Sequence, residues 1–340
     1  MEPTPEVSTA VGTLSRRATI VDVASAAGVS KQTVTRAMND MPGIKAETRD
    51  RIRNLARELG YVPSRFAKGL AQGARTSIGL AIPGLTNPYF PAFVSSVVEQ
   101  STQRDWHVVI HDYADGSVDP VSAVTQLAPQ VDAVIGYLGN ETGASQEILG
   151  RRPLVLLDLT NSRSAGEVSF DYGHAATLAL EYLISKGRTR ITYLDYVRDG
   201  GLSVRGQAFA RRAGELGIAI TFINSEGSAP SARQAITSLL EQGVTPDALV
   251  TFNDVMAAGA LKALSEAGKS VPEDCAVIGM DGIALGELLN PELTTLALDF
   301  REVGAVAVGL VEKLLSGDTT PGDTTSKMTL KHHLTIRQSA

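Results

Sequence analysis

The sequence predicts an α/β protein in which a small N-terminal helix-turn-helix unit precedes a two-lobed domain of doubly wound parallel sheets. Apolar residues recur at helical spacing between Ala18 and Leu59. From Ser77 onward, short apolar strands alternate with helical segments, a pattern typical of parallel sheets covered by helices on both faces. These strands exceed the number usual for a single sheet, so two lobes are expected.

The composition indicates a protein of the reducing cytoplasm. The 340 residues include one cysteine, Cys275, which excludes a disulfide framework and is expected to be a small core residue. The N-terminus lacks the apolar run of a signal peptide, and no stretch is long and apolar enough to cross a membrane. The expected location is therefore cytoplasmic.

The net charge of −6 conceals two parts of opposite charge. Residues 16–75 carry 12 basic and 5 acidic side chains, which gives a net charge of +7. Residues 76–340 carry 19 basic and 30 acidic side chains, which gives −11. A basic head on an acidic body favours an anionic partner, DNA or RNA, for the head alone.

The first 75 residues divide into an arm, a helical head and a linker. Residues 1–17 are rich in Pro, Thr and Ser without a period, which predicts a disordered arm. Residues 18–62 are expected to hold three helices. Pro63 then marks a boundary, and residues 63–75 form a linker with room for one more short helix. The helices of the head are predicted at 20–27, 31–38 and 46–59.

The first two helices carry the signals of a DNA-binding motif. Gly28 permits a tight turn between them, and Ser30 can cap the second helix. On that helix Gln32 and Arg36 lie four residues apart on one face, and their side chains suit bidentate contacts to adenine and guanine. The alternative is a helical bundle whose polar residues are only solvated. Turn, cap, core spacing and charge together favour DNA binding.

Six motifs, in order along nearly the whole chain, resemble the lactose-repressor (LacI/GalR) family of bacterial regulators. They are TIVDVASAAGVSKQTVTRAMN, ETRDRIRNLARELGYVPSR, AKGL, SIGLAIPGLTNPYF, TFNDVMAAGALKAL and VPEDCAVIGMDG. The resemblance implies a homodimer whose recognition helices enter adjacent major grooves of double-stranded operator DNA. It also implies a hinge helix within residues 63–75 that binds the minor groove, and a body similar to a periplasmic sugar-binding protein.

The resemblance implies DNA contacts for individual residues of the head and hinge. Base contacts would be made by Lys31, Gln32 and Arg36. Backbone contacts would be made by Thr19, Ser30, Thr33, Thr35, Asn39 and Tyr61. In the hinge the matching residues are Ala67, Lys68 and Leu70. Leu70 matches a leucine that the family wedges between base pairs, which kinks DNA and opens the minor groove. A linker leucine packed on the body is the alternative for Leu70.

The chain departs from the family pattern in the hinge and before the third helix. The usual hinge segment is close to Ala-Arg-Ser-Leu, and here Lys68 stands in place of its arginine and Gly69 in place of its serine. A glycine inside a helix costs about 0.5–1 kcal/mol relative to alanine, so the hinge helix should be weaker off DNA. Lys45 replaces the usual cap before the third helix, which should fray the start of that helix.

The resemblance also implies an effector site in the body. Its residues would be Tyr89, Phe90, Asp158, Arg205, Asn253, Asp254 and Asp281. Carboxylates, amides, an arginine and aromatic rings suit a polyhydroxylated ligand such as a sugar, with a nucleoside or a polyol as alternatives. Asp254 is the most open to another role, because it precedes a helix and could cap it. The run Glu226–Pro230 lacks the aromatic that the family often places there, and Tyr113 or Tyr172 could replace it.

The body, residues 76–340, is expected to bind the effector and to dimerise. Its first lobe is predicted at about 76–160 and 299–325, and its second lobe at about 161–298 and 326–340. The predicted function is a sequence-specific transcriptional regulator, in the first place a repressor, whose operator affinity is controlled by the effector.

Two rival functions are an enzyme and a ligand-binding receptor that never contacts DNA. The chain offers no nucleophile, base and orienting group in a recognisable set, so we expect no catalysis. The basic head argues against a receptor alone. Neither a cofactor nor a metal is expected. Gly268-Lys269-Ser270 lacks the earlier glycine of a phosphate loop, and His332 and His333 would point to opposite faces of a strand.

Overall fold

The computed structural model describes residues 20–38, 41–59, 75–113, 119–139, 141–159, 165–196 and 200–340. They form two compact units that divide between Arg75 and Thr76. None of the described helices combines the length and the apolar composition needed to cross a lipid bilayer.

The described part of the N-terminal unit contains the three predicted helices. They are α1 (Ile20–Ala27), α2 (Lys31–Met38) and α3 (Ala46–Glu58). Gly28 turns the chain between α1 and α2 with a φ of +64°, a conformation that glycine adopts without steric cost. Lys45 precedes α3 without a side-chain hydrogen bond to it, as predicted. The core of the unit consists of Val23, Ala24, Ala27, Val34, Ala37, Ile52 and Ala56. Because four of these are alanines, the short helices can pack closely.

The described residues of the second unit form two six-stranded sheets. The strands of the first sheet are β1 (Ser77–Ile82), β2 (His107–Asp112), β3 (Ala133–Gly136), β4 (Leu154–Leu157), β5 (Gly166–Phe170) and β11 (Lys327–Leu330). Their order is β11-β5-β4-β3-β1-β2, and every pairing is parallel. The inner strands are buried along their length because helices cover both faces.

The strands of the second sheet are β6 (Ile191–Tyr196), β7 (Ile220–Ser225), β8 (Ala248–Thr251), β9 (Ala276–Asp281), β10 (Thr294–Ala297) and β12 (His333–Thr335). Their order is β12-β10-β9-β8-β6-β7, with β12 antiparallel to β10 and the other pairings parallel. Cys275, directly before β9, is buried as predicted.

Helices alternate with these strands in the second unit. They are α4 (Tyr89–Thr102), α5 (Pro120–Leu127), α6 (Thr142–Leu149), α7 (Tyr172–Ser185), α8 (Val204–Leu216), α9 (Ala229–Glu241), α10 (Asp254–Glu266), α11 (Leu285–Leu288) and α12 (Phe300–Ser316). Short 3-10 turns are present at Ala128–Gln130 and Thr324–Ser326. Glycine allows one close contact between helices, since a Cβ on Gly259 of α10 would lie 2.1 Å from the carbonyl oxygen of Ala229 on α9.

In the described part the chain passes between the two sheets three times. The first crossover leads from β5 through Asp171 into α7, and the second leads from β10 into α12. The third leads from β11 through His332 into β12. The backbone N–H of Asp171 donates to the carbonyl oxygen of Leu330 at 2.9 Å. The first and third crossovers therefore run side by side.

The sheets correct two of the predicted lobe limits. Gly166–Phe170 and Lys327–Leu330 belong to the first sheet, although the predicted limits near 160 and 325 assign them to the second lobe. Glu167 interrupts the apolar pattern of β5, yet it is buried, and its carboxylate lies 3.7 Å from Lys327 Nζ on the neighbouring strand. Because the two residues are far apart in sequence, the local pattern cannot indicate their pairing.

Candidate functional site

The exposed face of α2 carries the side chains predicted to contact bases. Val34 and Ala37 are fully buried against the core of the N-terminal unit. Lys31, Gln32 and Arg36 are exposed on the same helix. This separation follows from the helical period, which puts the apolar and the polar residues on opposite sides of α2.

The first turn of α2 is organised by hydroxyl groups. Ser30 Oγ accepts a hydrogen bond from the backbone N–H of Thr33 at 3.1 Å, which is the predicted cap. The hydroxyls of Ser30 and Thr33 lie 2.9 Å apart. Thr35 donates to the carbonyl oxygen of Lys31 at 3.0 Å. To donate to a phosphate, the Thr35 hydroxyl would therefore have to break this hydrogen bond within α2.

Several residues predicted to contact DNA lie outside the described residues. They are Thr19, Asn39, Tyr61, Ala67, Lys68 and Leu70. Their roles, and the effect of Gly69 on the hinge helix, stay predictions.

Replacing Arg36 with alanine should reduce specific DNA binding by about 1–3 kcal/mol and relax the preference at one base pair of each half-site, because a bidentate base contact is lost. Binding to a selected site and to single-base variants of it, titrated at fixed salt, measures the effect. Arg57→Ala is the matched control, since Arg57 is a basic residue on α3 whose side chain donates to Asn54 Oδ1 at 2.7 Å. An Arg36 variant that weakened binding equally on every sequence would make Arg36 a phosphate contact.

In the second unit, two of the predicted acidic residues occupy the ends of strands that belong to different sheets. Asp158 follows β4 of the first sheet, and Asp281 is the last residue of β9 in the second. Both have a positive φ, 58° for Asp158 and 126° for Asp281. Residues other than glycine rarely adopt such values, and where they do the site is often functional.

A chain of hydrogen bonds joins these two carboxylates. The Tyr172 hydroxyl donates to Asp158 Oδ1 at 2.6 Å. Arg205 Nε donates to the Tyr172 hydroxyl at 3.3 Å, and Arg205 Nη1 donates to Asp281 Oδ1 at 3.2 Å. Nη1 also donates to the carbonyl oxygen of Phe252 at 2.6 Å. Because Asp158 belongs to the first lobe and the other residues to the second, the Tyr172–Asp158 bond links the lobes.

Burial controls the electrostatics of this chain. Arg205 is 8% exposed and Asp281 is 2% exposed. Desolvation raises the pKa of Asp281 above its ordinary value, and the charge of Arg205 opposes this rise. Desolvation also raises the pKa of Asp158, while Arg205 and the hydrogen bond from Tyr172 act to lower it. The guanidinium carbon of Arg205 lies 4.4 Å from the Phe252 ring centroid and 5.2 Å from that of Tyr172. These contacts hold the arginine fork in one place.

Tyr89 and Phe90 begin α4, directly after the loop that follows β1. The hydroxyls of Tyr89 and Tyr137 lie 2.6 Å apart, and the Phe90 ring meets both tyrosine rings edge to face. Burial raises the pKa of Tyr89, and the nearby charge of Asp281 raises it further. Tyr89 is therefore close to the carboxylates described above. We call the set Tyr89, Tyr137, Asp158, Tyr172, Arg205, Phe252 and Asp281 the cleft cluster.

The contacts of Asp254 favour a structural role within the second lobe over the predicted effector role. Its side chain is fully buried, and Oδ2 accepts from the backbone N–H groups of Gly282 at 2.8 Å and Ile283 at 2.9 Å. Oδ1 accepts from the Thr295 hydroxyl at 2.6 Å. Asp254 therefore ties α10 to β9 and β10 within the second lobe. The cap of α10 is Asn253, whose Oδ1 accepts from the backbone N–H of Met256 at 2.8 Å.

Sequence reasoning did not name three aromatic residues that lie at the ends of strands: Tyr137, Tyr196 and Phe252. Tyr137 directly follows β3, Tyr196 ends β6 and Phe252 directly follows β8. The rule that ligands bind beyond the carboxyl ends of parallel strands could have identified all three. A Cβ on Gly227 would lie 3.1 Å from the Tyr196 ring, so that ring packs on the backbone of the Glu226–Pro230 run. Of the two aromatics proposed to replace the missing one, Tyr172 is in the cleft cluster. Tyr113 packs in a core of the first lobe, and its hydroxyl donates to the carbonyl oxygen of Tyr137.

Comparisons with known proteins agree across both units. Residues 19–64 match the family described as bacterial regulatory proteins, lacI family, and residues 180–340 match the periplasmic binding protein-like domain. The ribose operon repressor of Halalkalibacterium halodurans is 31% identical over 300 residues, which cover 87% of this chain and 89% of that protein.

Two solved structures resemble the chain closely. A LacI family transcriptional regulator from Arthrobacter sp. FB24, in complex with lactose, is 55% identical with a TM-score of 0.76, covering 78% of this chain and all of that one. The lac repressor dimer bound to operator and the anti-inducer ONPF is 27% identical with a TM-score of 0.73, covering 95% of this chain and 99% of that one.

Proposed function

The chain belongs to the lacI family of bacterial regulatory proteins, and from that membership we propose that it represses transcription as a homodimer on operator DNA, under the control of a sugar. The sugar binds between the two lobes at the cleft cluster. The DNA is read by Lys31, Gln32 and Arg36, which project from α2 away from its buried face. The net charge of +7 on residues 16–75 attracts the phosphate backbone.

The observation that carries the effector proposal is the hydrogen-bond chain from Asp158 through Tyr172 and Arg205 to Asp281. Two carboxylates and a guanidinium, flanked by aromatic rings, are the groups that pair with vicinal hydroxyls and cover the apolar face of a pyranose. Lactose is the first candidate, because the regulator that is 55% identical to this chain binds lactose.

The control of DNA binding follows from the position of the cluster between the lobes. Hydroxyls of a bound sugar can replace Tyr172 as the partner of Asp158, and in doing so they replace a direct bond between the lobes with bonds through the ligand. A ligand that binds one arrangement of the lobes more tightly shifts the population towards that arrangement. The side-by-side crossovers at Asp171 and His332 are where such a movement would be accommodated.

We also propose that the chain acts in the cytoplasm, catalyses no reaction and requires no cofactor or metal. The proteins it resembles are named as repressors and transcriptional regulators. Within the described ranges, no group of three or more His, Cys, Asp and Glu side chains is placed to hold a metal ion.

Three measurements on the full chain test the proposed function. Selection from random duplex DNA should enrich a two-fold symmetric site, because a homodimer presents two recognition helices. A thermal-shift series with lactose, ribose, adenosine and sorbitol should show stabilisation by lactose, of about 2.7 kcal/mol at 100 times its dissociation constant. Lactose should then change the affinity for the selected site. If no DNA site is enriched, the proposed role as a DNA-binding regulator is wrong. If adenosine alone stabilises the chain, the effector is a nucleoside and not a sugar.

A further inference from the structure

His332 lies in the third crossover, between β11 of the first sheet and β12 of the second. Its side chain is buried, with 2% of the residue exposed. The imidazole centroid lies 5.6 Å from that of Tyr172 at a tilt of 35°, and 6.1 Å from that of Phe170. His332 is therefore packed against the tyrosine that links the lobes.

Both ring nitrogens of His332 are buried without a hydrogen-bond partner among the described residues. Buried polar atoms are almost always hydrogen-bonded, because leaving a donor or acceptor unpaired destabilises the fold. A phenylalanine would fill the same space beside Phe170 and Tyr172 without this penalty. Packing alone does not account for a histidine at this position.

The surroundings hold the imidazole in its neutral form. Burial, followed by the nearby charge of Arg205, lowers the pKa of His332 to about 3. A neutral imidazole offers one N–H donor and one acceptor nitrogen, the pair of functions needed to bind two adjacent hydroxyl groups. The ring contact with Tyr172, a member of the cleft cluster, places these unused functions beside that cluster.

We propose that His332 is a direct contact of the bound effector and a determinant of its specificity, an assignment that rests on the proposed function. One ring nitrogen donates to a hydroxyl oxygen of the sugar, and the other accepts from a second hydroxyl. The contact satisfies two buried atoms that otherwise have no partner. Because His332 belongs to a crossover, it also attaches the ligand to a segment that connects the lobes.

The test compares His332→Phe with the unchanged chain, using lactose and its monodeoxy derivatives in calorimetric titrations. Phenylalanine keeps the ring packing and removes both nitrogens. We expect lactose to bind about 10-fold more weakly or worse, while the melting temperature without sugar stays the same or rises. We expect at least one monodeoxy-lactose to bind the unchanged chain more weakly than lactose does, and this difference in affinity should disappear in His332→Phe. A purely structural role of His332 would not produce that result.

Two further variants keep the test sharp. His333→Phe makes the same substitution at the exposed neighbouring residue and should leave lactose binding unchanged. His332→Gln, which keeps a donor and an acceptor, should retain part of the affinity and the discrimination against the deoxy sugar.

The remaining outcomes overturn the assignment. If His332→Phe binds lactose and every deoxy derivative with unchanged relative affinities, His332 does not contact the sugar. If the variant melts at a lower temperature and its discrimination among sugars is unchanged, its role is structural. If the unchanged chain binds none of the sugars in the thermal-shift series, the proposed control by a sugar fails, and this inference fails with it.

Discussion

Replacing Arg205 with alanine is expected to weaken lactose binding by at least about 30-fold, which corresponds to 2 kcal/mol or more for truncating one member of a buried, hydrogen-bonded charge pair. Arg205 donates to Asp281, to Tyr172 and to the carbonyl oxygen of Phe252. Its removal leaves all three without a donor in a desolvated cleft. Calorimetric titration with lactose measures the loss, and binding of the selected DNA site without sugar should stay nearly intact.

Arg212→Ala is the matched control for Arg205→Ala. Arg212 lies on the same helix, α8, and makes ion pairs with Glu181 at 2.7 Å and Glu215 at 2.9 Å. These pairs are at the surface, where each contributes about 0–1 kcal/mol, so lactose binding should not change. Two other variants separate charge from geometry: Arg205→Lys keeps the charge without the planar fork, and Asp281→Asn keeps the size without the charge. Both should lose most of the effector response. If Arg205→Ala kept its affinity for lactose, Arg205 would be a structural residue.

Replacing Asp254 with alanine is expected to lower the free energy of unfolding by about 3–5 kcal/mol, because a buried carboxylate that accepts three hydrogen bonds is removed. The N–H groups of Gly282 and Ile283 and the Thr295 hydroxyl would be left unpaired in the second lobe. Urea unfolding without any ligand, followed by circular dichroism, measures the change.

Asp299→Ala serves as the comparison for Asp254→Ala. Asp299 caps the exposed start of α12, where its carboxylate accepts from the backbone N–H groups of Arg301 and Glu302. Loss of such a cap costs about 1 kcal/mol, because water can replace it. A stable Asp254→Ala chain that no longer binds lactose would restore the effector role that the sequence predicts for Asp254.

Interactions between residues close in the chain could be predicted well. The turn at Gly28, the cap at Ser30 and the opposite faces of α2 depend on neighbours within one or two helical turns. The alternation of short apolar strands and helices predicted from Ser77 onward is present, because burial on both faces of the inner strands of a parallel sheet produces such apolar runs. Asp158 follows one of these runs and Asp281 ends another, so their positions at strand ends could be read from the sequence.

Interactions between distant residues were decided only by the tertiary structure. Neither β5 nor β11 shows an apolar run of its own, because each contains a charged residue. Glu167 of β5 and Lys327 of β11 form an ion pair only once the two strands are side by side. Asp254 looks like a cap or a ligand contact until Gly282 and Thr295 are brought to it from later in the chain. In the sequence His332 is one of two adjacent histidines, and no pattern around them indicates a role. In the folded chain the third crossover packs His332 against Tyr172, near Arg205. A polar side chain acquires its role from the partners that surround it, and those partners come from segments that meet only in the folded chain.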